Sequence, residues 1–147
     1  MSLIEEVDLL KKIPLFANIE TSKLKLLAFT SERVVFKAGE VLFNQGEIGQ
    51  AAYIIMAGTA DVEVDTPDGP IVVAQVSKDD FVGEIAILCD VPRTATVKAT
   101  SDLTTLMISK DLFFRLVTEF PQMAVEIMRV LAQRVQQTTQ RAAARNG

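Results

Sequence analysis

The stretch that decides the fold is residues 81–97, which read FVGEIAILCDVPRTATV. Phe81 and Val82 end a predicted strand, and Gly83 then permits a tight turn because it has no side chain. Residues 84–88 predict one short helical turn that begins with a carboxylate and continues with apolar residues. Pro92 stops this segment, and residues 94–97 predict a strand because they are small or β-branched. The stretch therefore predicts a short helix held between two strands.

Three chemical groups in this stretch can hold one ligand. The first amides of the helical turn, within residues 83–86, have no acceptor inside the helix and can donate to an anion. Arg93 carries a guanidinium that can bind two oxygens of a phosphate at once. Glu84 would repel a phosphate but can accept hydrogen bonds from hydroxyls, so the combination favours a sugar phosphate. The alternative is a surface turn in which Glu84 and Arg93 only pair with each other.

The chain on both sides of this stretch reads mainly as short strands. They are predicted at residues 34–36, 41–43, 52–56, 60–65, 71–76, 93–98 and 103–109. Residues 37–40 read as a hairpin-like turn with a glycine, and residues 67–70 form the clearest turn in the chain. Helices do not alternate with these strands, which excludes a doubly wound nucleotide fold. The pattern predicts a barrel or a roll of two sheets.

The order of residues in the central stretch resembles the phosphate-binding cassette of the cyclic nucleotide-binding domain family. The matching residues are Phe81, Gly83, Glu84, Ile85, Ala86, Ile87, Pro92, Arg93, Thr94, Ala95 and Val97. This resemblance implies a mainly β fold with flanking helices, a β-roll of the double-stranded β-helix or jelly-roll type. One departure is Asp79, where the family usually has glycine, although aspartate tolerates the left-handed conformation that glycine would supply.

The resemblance also implies one domain over residues 1–147, with a helical lead-in at 1–31, the β-roll at 32–109 and helices at 110–147. A short and a long helix meet at Pro121, the predicted hinge. Along the long helix, steps of three and four residues are typical of a seam against a partner helix. The seam comprises Ala124, Ile127, Leu131, Val135, Thr138 and Ala142. We expect its first half to pack on its own barrel and its second half to form a parallel homodimer.

Roles for individual residues follow from the resemblance. Arg93 and the amides of residues 83–86 would hold a cyclic phosphate, and Glu84 would accept from the ribose hydroxyl. An apolar slot that includes three valines would take the base, capped by the last helix. The implied ligand-binding residues are Gly83, Glu84, Ile85, Ala86, Arg93, Thr94, Ala95, Val62, Val73, Val76, Thr138 and Thr139.

The choice between cAMP and cGMP depends on two threonine sites. Thr138 and Thr139 resemble a pair that reaches adenine in catabolite-activator-like regulators, one of the two contacts coming from the partner subunit. The other interpretation of this pair is two polar residues near a fraying helix end. Thr94 is at a position where threonine is associated in the family with tolerance of cGMP. The prediction is cAMP in preference to cGMP.

Composition excludes several classes of function. The chain has no histidine and a single cysteine, Cys89, so a histidine general base is excluded and zinc and haem sites are not expected. We therefore expect that the protein is not an enzyme and that it binds no metal or cofactor besides its ligand. The net charge of −4 and the lack of a long apolar run predict neither nucleic-acid binding nor a membrane span, and one cysteine fits the cytoplasm. Arg129, Arg134, Arg141 and Arg145 read as a solvated basic helix face.

The predicted function is a regulatory module that binds a cyclic purine nucleotide and signals by movement of its last helix to an unidentified effector protein. Direct DNA binding is not expected, because no helix-turn-helix follows the long helix. The alternative is a scaffold or interaction protein that keeps the fold but binds another ligand or none. Glu84 and Arg93 argue against the alternative, because buried charges without a ligand are costly to keep.

Overall fold

Strands dominate the middle of the chain and helices flank it at both ends. The computed structural model describes residues 3–13 and 16–146, and describes side chains for residues 4–13 and 16–137. The helices are α1 (Leu3–Lys11), α2 (Thr21–Thr30), α3 (Glu84–Cys89), α4 (Lys110–Glu119) and α5 (Pro121–Asn146). The strands are β1 (Glu32–Phe36), β2 (Val41–Phe43), β3 (Ala51–Ala57), β4 (Ala60–Thr66), β5 (Gly69–Val76), β6 (Phe81–Val82), β7 (Thr96–Ala99) and β8 (Leu103–Ser109).

The described strands form two antiparallel sheets of four strands each. Their orders are β1-β8-β3-β6 and β2-β7-β4-β5. Strands β4 and β5 form a hairpin at the turn predicted for residues 67–70, and Gly69 there adopts a φ of 110°. The predicted mainly β roll with flanking helices is confirmed.

The turn at residues 37–40 does not close the hairpin that its sequence suggests. Strand β1 pairs with β8, and β2 pairs with β7 in the other sheet. The Gly39 amide donates to the Ala99 carbonyl, and the Ala99 amide donates to the Glu40 carbonyl, each at 2.8 Å. The turn is therefore a corner where the chain passes from one sheet to the other. Strand β7 forms the backbone hydrogen bonds that a hairpin partner would otherwise form with this turn.

Two apolar clusters hold the domain together. The larger one joins the lead-in helices to the first sheet and to α4 and α5 through Leu10, Leu24, Ile54, Phe113 and Ile127. The smaller one fills the roll, and its members include Ile55, Val76, Val82, Val97 and Leu103. Burying a side chain of this size contributes about 1.5–3 kcal/mol. The start of α5 is therefore fixed on the larger cluster.

The predicted seam of α5 packs on its own chain in its first half, and in its second half Val135 is 67% exposed. Ile127, a predicted seam residue, is only 3% exposed because it packs in the larger cluster of its own chain. Leu131 also packs against that cluster, as predicted for the first half of the helix. Val125 and Met128 are instead 46% and 60% exposed, and Ala132 is exposed on the same side. Within the described ranges, no helix combines the length and apolar character needed to cross a bilayer.

Candidate functional site

Backbone conformation in residues 79–93 depends on a few positions with positive φ. Gly83 precedes α3 with a φ of 87°, and a β-carbon there would lie 2.6 Å from the Arg93 Nη1 atom. Asp90 ends α3 in the left-handed region, at a φ of 52°. Asp79 has a φ of 78°, in agreement with the prediction that aspartate supplies the conformation of a glycine. Strand β7 begins at Thr96, whereas the sequence predicts a strand that begins at residue 93 or 94.

Arg93 is held against the floor of the roll by backbone groups. Its side chain is 6% exposed, and its Nη1 and Nη2 atoms donate to the carbonyls of Gly83 and Ala51 at 2.9 and 2.7 Å. The guanidinium carbon lies 4.0 Å from the centre of the Phe43 ring. The buried Nε atom has no hydrogen-bond partner among the described residues. Burial lowers the pKa of Arg93 from its ordinary value, because it disfavours the charged guanidinium. An anion beside the guanidinium would offset this penalty.

The loop before β3 supports the same arginine. The Arg93 amide donates to the Glu47 carbonyl at 2.7 Å, and the Gly46 amide donates to the Arg93 carbonyl at 2.8 Å. A β-carbon at Gly49 would lie 2.7 Å from the Ala86 β-carbon and 3.0 Å from the Arg93 guanidinium carbon. Gly49 therefore allows α3 and Arg93 to approach the same point of the backbone.

Glu84 is buried and paired with the last helix. It is 2% exposed, and Arg134 of α5 donates from Nη1 to its Oε1 atom at 2.5 Å. Arg134 also donates from Nη2 to the Phe81 carbonyl at 2.6 Å, and its guanidinium carbon lies 4.8 Å from the Phe81 ring centre. Burial raises the pKa of Glu84, and the charge of Arg134 opposes that rise.

These bonds exclude the surface turn considered for the central stretch. Glu84 pairs with Arg134, while Arg93 donates to backbone carbonyls instead of to Glu84. Both side chains are buried, and they lie on the wall of one cavity of about 710 Å³. This volume is within the range of about 300–1,000 Å³ that is usual for small-molecule sites.

Most of the residues predicted for the ligand site line this cavity. They are Gly83, Glu84, Ile85, Ala86, Arg93, Thr94, Ala95, Val62, Val73 and Val76. The backbone of α5 includes Thr138 and Thr139, but their side chains lie outside the described residues. The charged groups of residues 83–93 and the valines of β4 and β5 thus line the same cavity.

Sequence reasoning missed the contribution of α5 before Thr138. Its side chains that line the cavity are Val130, Gln133, Arg134 and Gln137. Their spacing of three, four and seven residues marks one helix face, a signal that could have identified them. The interpretation of Arg134 as part of a solvated basic face is wrong, because this arginine bonds to a buried carboxylate of the roll.

The chain is similar in sequence to known proteins. A sequence model described as the cyclic nucleotide-binding domain matches residues 33–120. The chain is 35% identical over 123 residues to the cAMP-dependent protein kinase regulatory subunit of Eremothecium gossypii. This match covers 84% of this chain and 25% of that protein. The present chain thus spans about a quarter of the length of that relative.

Solved structures have the same architecture. The Catabolite Activator Protein of Thermus thermophilus has a TM-score of 0.78 at 23% identity, over 88% of this chain and 61% of that chain. The regulatory subunit of a cAMP-independent protein kinase A from Trypanosoma brucei has a TM-score of 0.75 at 25% identity. That match covers 89% of this chain and 48% of the other.

Proposed function

The chain belongs to the cyclic nucleotide-binding domain family, and on this premise we propose that it is a regulatory module that prefers cAMP to cGMP and signals through α5. The observation that carries the proposal is the meeting of Arg93, Glu84 and Arg134 on one cavity. The first two are the charged groups of the cassette, and the third belongs to the helix that is expected to move. Ligand and helix therefore share a common contact point.

The phosphate site is proposed at Arg93. This guanidinium is buried, its Nε atom has no protein acceptor among the described residues, and burial penalises its charge. A cyclic phosphate would offset that penalty with charge-assisted hydrogen bonds. The amides of Ile85 and Ala86, in the first turn of α3, would supply further donors.

The ribose site is proposed at Glu84, and it explains how α5 would sense the ligand. A ribose hydroxyl that donates to Glu84 would share this carboxylate with Arg134, which already bonds its Oε1 atom. The position of α5 would then depend on how the ligand changes this pair. A ligand shifts a conformational equilibrium only by the difference in its affinity for the two positions of the helix.

The preference for cAMP is supported by likeness to a kinase regulatory subunit that is named for its dependence on cAMP. Thr94 on the cavity wall remains the feature that favours tolerance of cGMP. The absence of histidine and the nature of the relatives support a regulatory role without catalysis. The single cysteine is the basis for proposing a cytoplasmic location.

A parallel homodimer through α5 is part of the proposal. Val125, Met128 and Ala132 form an exposed stripe with steps of three and four residues. The cavity residues Gln133, Arg134 and Gln137 lie on the other side of the same helix. A partner helix could therefore bind the stripe while the ligand binds the opposite face.

The alternative is a domain that keeps the fold without cAMP regulation. It is supported by the likeness to a Trypanosoma brucei subunit whose kinase is described as cAMP-independent. Against it stands the buried Arg93, which donates to backbone carbonyls and has no described carboxylate partner, so its charge costs free energy to keep without a ligand.

The deciding experiment is isothermal titration of the purified chain with cAMP and with cGMP. Arg93→Ala should weaken binding by about 1.5–3 kcal/mol, or roughly ten- to a hundredfold. Arg129→Ala is the matched control, because Arg129 lies on the exposed surface of α5 and pairs there with Glu126. Unchanged affinity in a folded Arg93→Ala protein would refute the assignment, and no heat from either nucleotide would favour the alternative.

A further inference from the structure

We propose that Phe43 is a positioning residue that holds the Arg93 guanidinium in place before a ligand binds, an inference that rests on the proposed function. Phe43 is the last residue of β2, and it lines the same cavity as Arg93. The guanidinium carbon lies 4.0 Å from the centre of the Phe43 ring, a distance at which a cation stacks on an aromatic face. The ring thereby fixes the plane of the guanidinium, and this plane decides where its donors point.

Arg93 needs this support because its charge is buried without a carboxylate partner among the described residues. Its Nη1 and Nη2 atoms donate to the carbonyls of Gly83 and Ala51. Every N–H of a guanidinium lies in the plane of the group, so these bonds hold its edge and not its faces. The Phe43 ring covers one face and attracts the cation without accepting a hydrogen bond. The Nε atom, which has no described partner, therefore stays available to an anion.

The Phe43 ring is held in turn by aromatic residues of the other sheet. Tyr53 of β3 stacks on it, with ring centres 6.0 Å apart and ring planes at 29°. Phe36 of β1 meets Tyr53 edge-on, at 6.2 Å and 70°, and all three rings pack against the smaller apolar cluster inside the roll. A β-carbon at Gly83 would lie 3.4 Å from Cε2 of Phe43, so the ring also contacts the backbone where α3 begins. Phe43 thus contacts both the guanidinium and the turn that carries the amides proposed for the phosphate.

The benefit for binding is preorganisation of the arginine. The stacking contact is present with and without ligand, so its own energy largely cancels from the affinity. Without the ring, the guanidinium can change rotamer in the ligand-free protein and must be ordered again when a phosphate binds. Ordering one long side chain weakens binding by about two- to tenfold.

The test compares Phe43→Leu, which removes the aromatic face, with Phe43→Tyr, which keeps it. Phe36→Leu is the matched control, because Phe36 is also a half-buried member of the ring group but does not belong to the described cavity wall. Tyr53→Leu is a second variant, which removes the ring that supports Phe43 and likewise leaves the described wall unchanged. Urea unfolding and circular dichroism show whether each protein is folded.

Two quantities are measured for each folded protein. Isothermal titration gives the affinity for cAMP, and nuclear magnetic resonance of the ligand-free protein gives the Nε–H signal of Arg93. This signal is assigned by its loss in Arg93→Lys. A ring stacked on the guanidinium shifts the signal and slows its exchange with water, whereas a residue that only forms the cavity wall does neither.

The expected result is a loss of both affinity and order when the aromatic face is removed. Phe43→Leu should bind cAMP about two- to tenfold more weakly, and its Arg93 signal should lose the ring-current shift and exchange faster. Phe43→Tyr should restore most of the lost affinity and the shifted signal. Tyr53→Leu should change both quantities in the same direction as Phe43→Leu, and Phe36→Leu should resemble the wild type.

Four results would overturn the inference. The first is wild-type affinity in folded Phe43→Leu, and the second is weaker binding with an unchanged Arg93 signal, which would make Phe43 only a part of the wall. The third is an equal loss in Phe36→Leu. If Phe43→Leu does not fold, the fourth is a Tyr53→Leu protein that matches Phe36→Leu in both quantities. If the wild type binds neither cAMP nor cGMP, the proposed function fails and this inference with it; if it binds and one of the four results is found, only this inference fails.

Discussion

The ion pair between Arg134 and Glu84 links α5 to the roll, and a double-mutant cycle can measure its coupling free energy. Arg134→Met removes the cation but keeps an apolar stem over the Phe81 ring. Glu84→Gln removes the negative charge but keeps the shape of the side chain. The double variant removes both charges, so no unpaired charge remains between the two side chains.

The magnitude follows from the burial of the two partners. Removing one member of a fully buried pair costs about 3–5 kcal/mol, whereas exposed pairs contribute about 0.2–1 kcal/mol. Glu84 is 2% exposed, but the Arg134 side chain is 34% exposed, so water screens the pair from one side. We therefore expect a coupling free energy of about 1–2 kcal/mol. The bond from Arg134 to the Phe81 carbonyl is not part of this coupling and should cost stability in both backgrounds.

Urea unfolding of the four ligand-free proteins at one protein concentration gives the coupling free energy directly. Hydrogen exchange should also become faster in α5 beyond Val130 when Arg134 is replaced, because this end of the helix loses its bond to Glu84. Arg129→Met is the control, since it removes only the exposed pair with Glu126. The reasoning is refuted if the coupling is below about 0.3 kcal/mol, or if Arg134→Met destabilises the protein no more than Arg129→Met does.

Two further predictions concern pH and assembly. Because burial raises the pKa of Glu84 above its usual 4.5, the folded protein holds more protons than the unfolded chain between these two pKa values. The free energy of unfolding of the wild type, minus that of Glu84→Gln, should therefore fall as pH rises above about 4.5, and a difference that rises or stays constant would contradict the raised pKa. For assembly, Met128→Glu places a charge in the exposed stripe of α5 and should convert a dimer to a monomer in sedimentation velocity. A wild-type protein that sediments as a monomer at about 100 μM would contradict the proposed dimer, because association would then be weaker than about −5.5 kcal/mol.

The central stretch could be predicted because its determinants are close together in the chain. Gly83 and Asp79 specify backbone conformations by their own chemistry, and Glu84 and Arg93 are separated by a single short helix. The same holds for the hairpin at residues 67–70, where the turn residues lie next to the strands that they connect. The corner at residues 37–40 was mistaken for a hairpin because its amides bond to Ala99, a partner that local sequence does not indicate.

The sequence by itself determined the type of fold and the charged groups that line the cavity, because strand alternation, glycine turns and the order of the cassette act over a few residues. Only the tertiary structure decided which face of α5 lines that cavity. Arg134 and Glu84 are 50 residues apart, and they meet because Ile127 and its neighbours in the larger apolar cluster set the rotation of the helix. An apolar pattern on a helix indicates that a face is buried, but the pattern does not identify the surface against which that face packs.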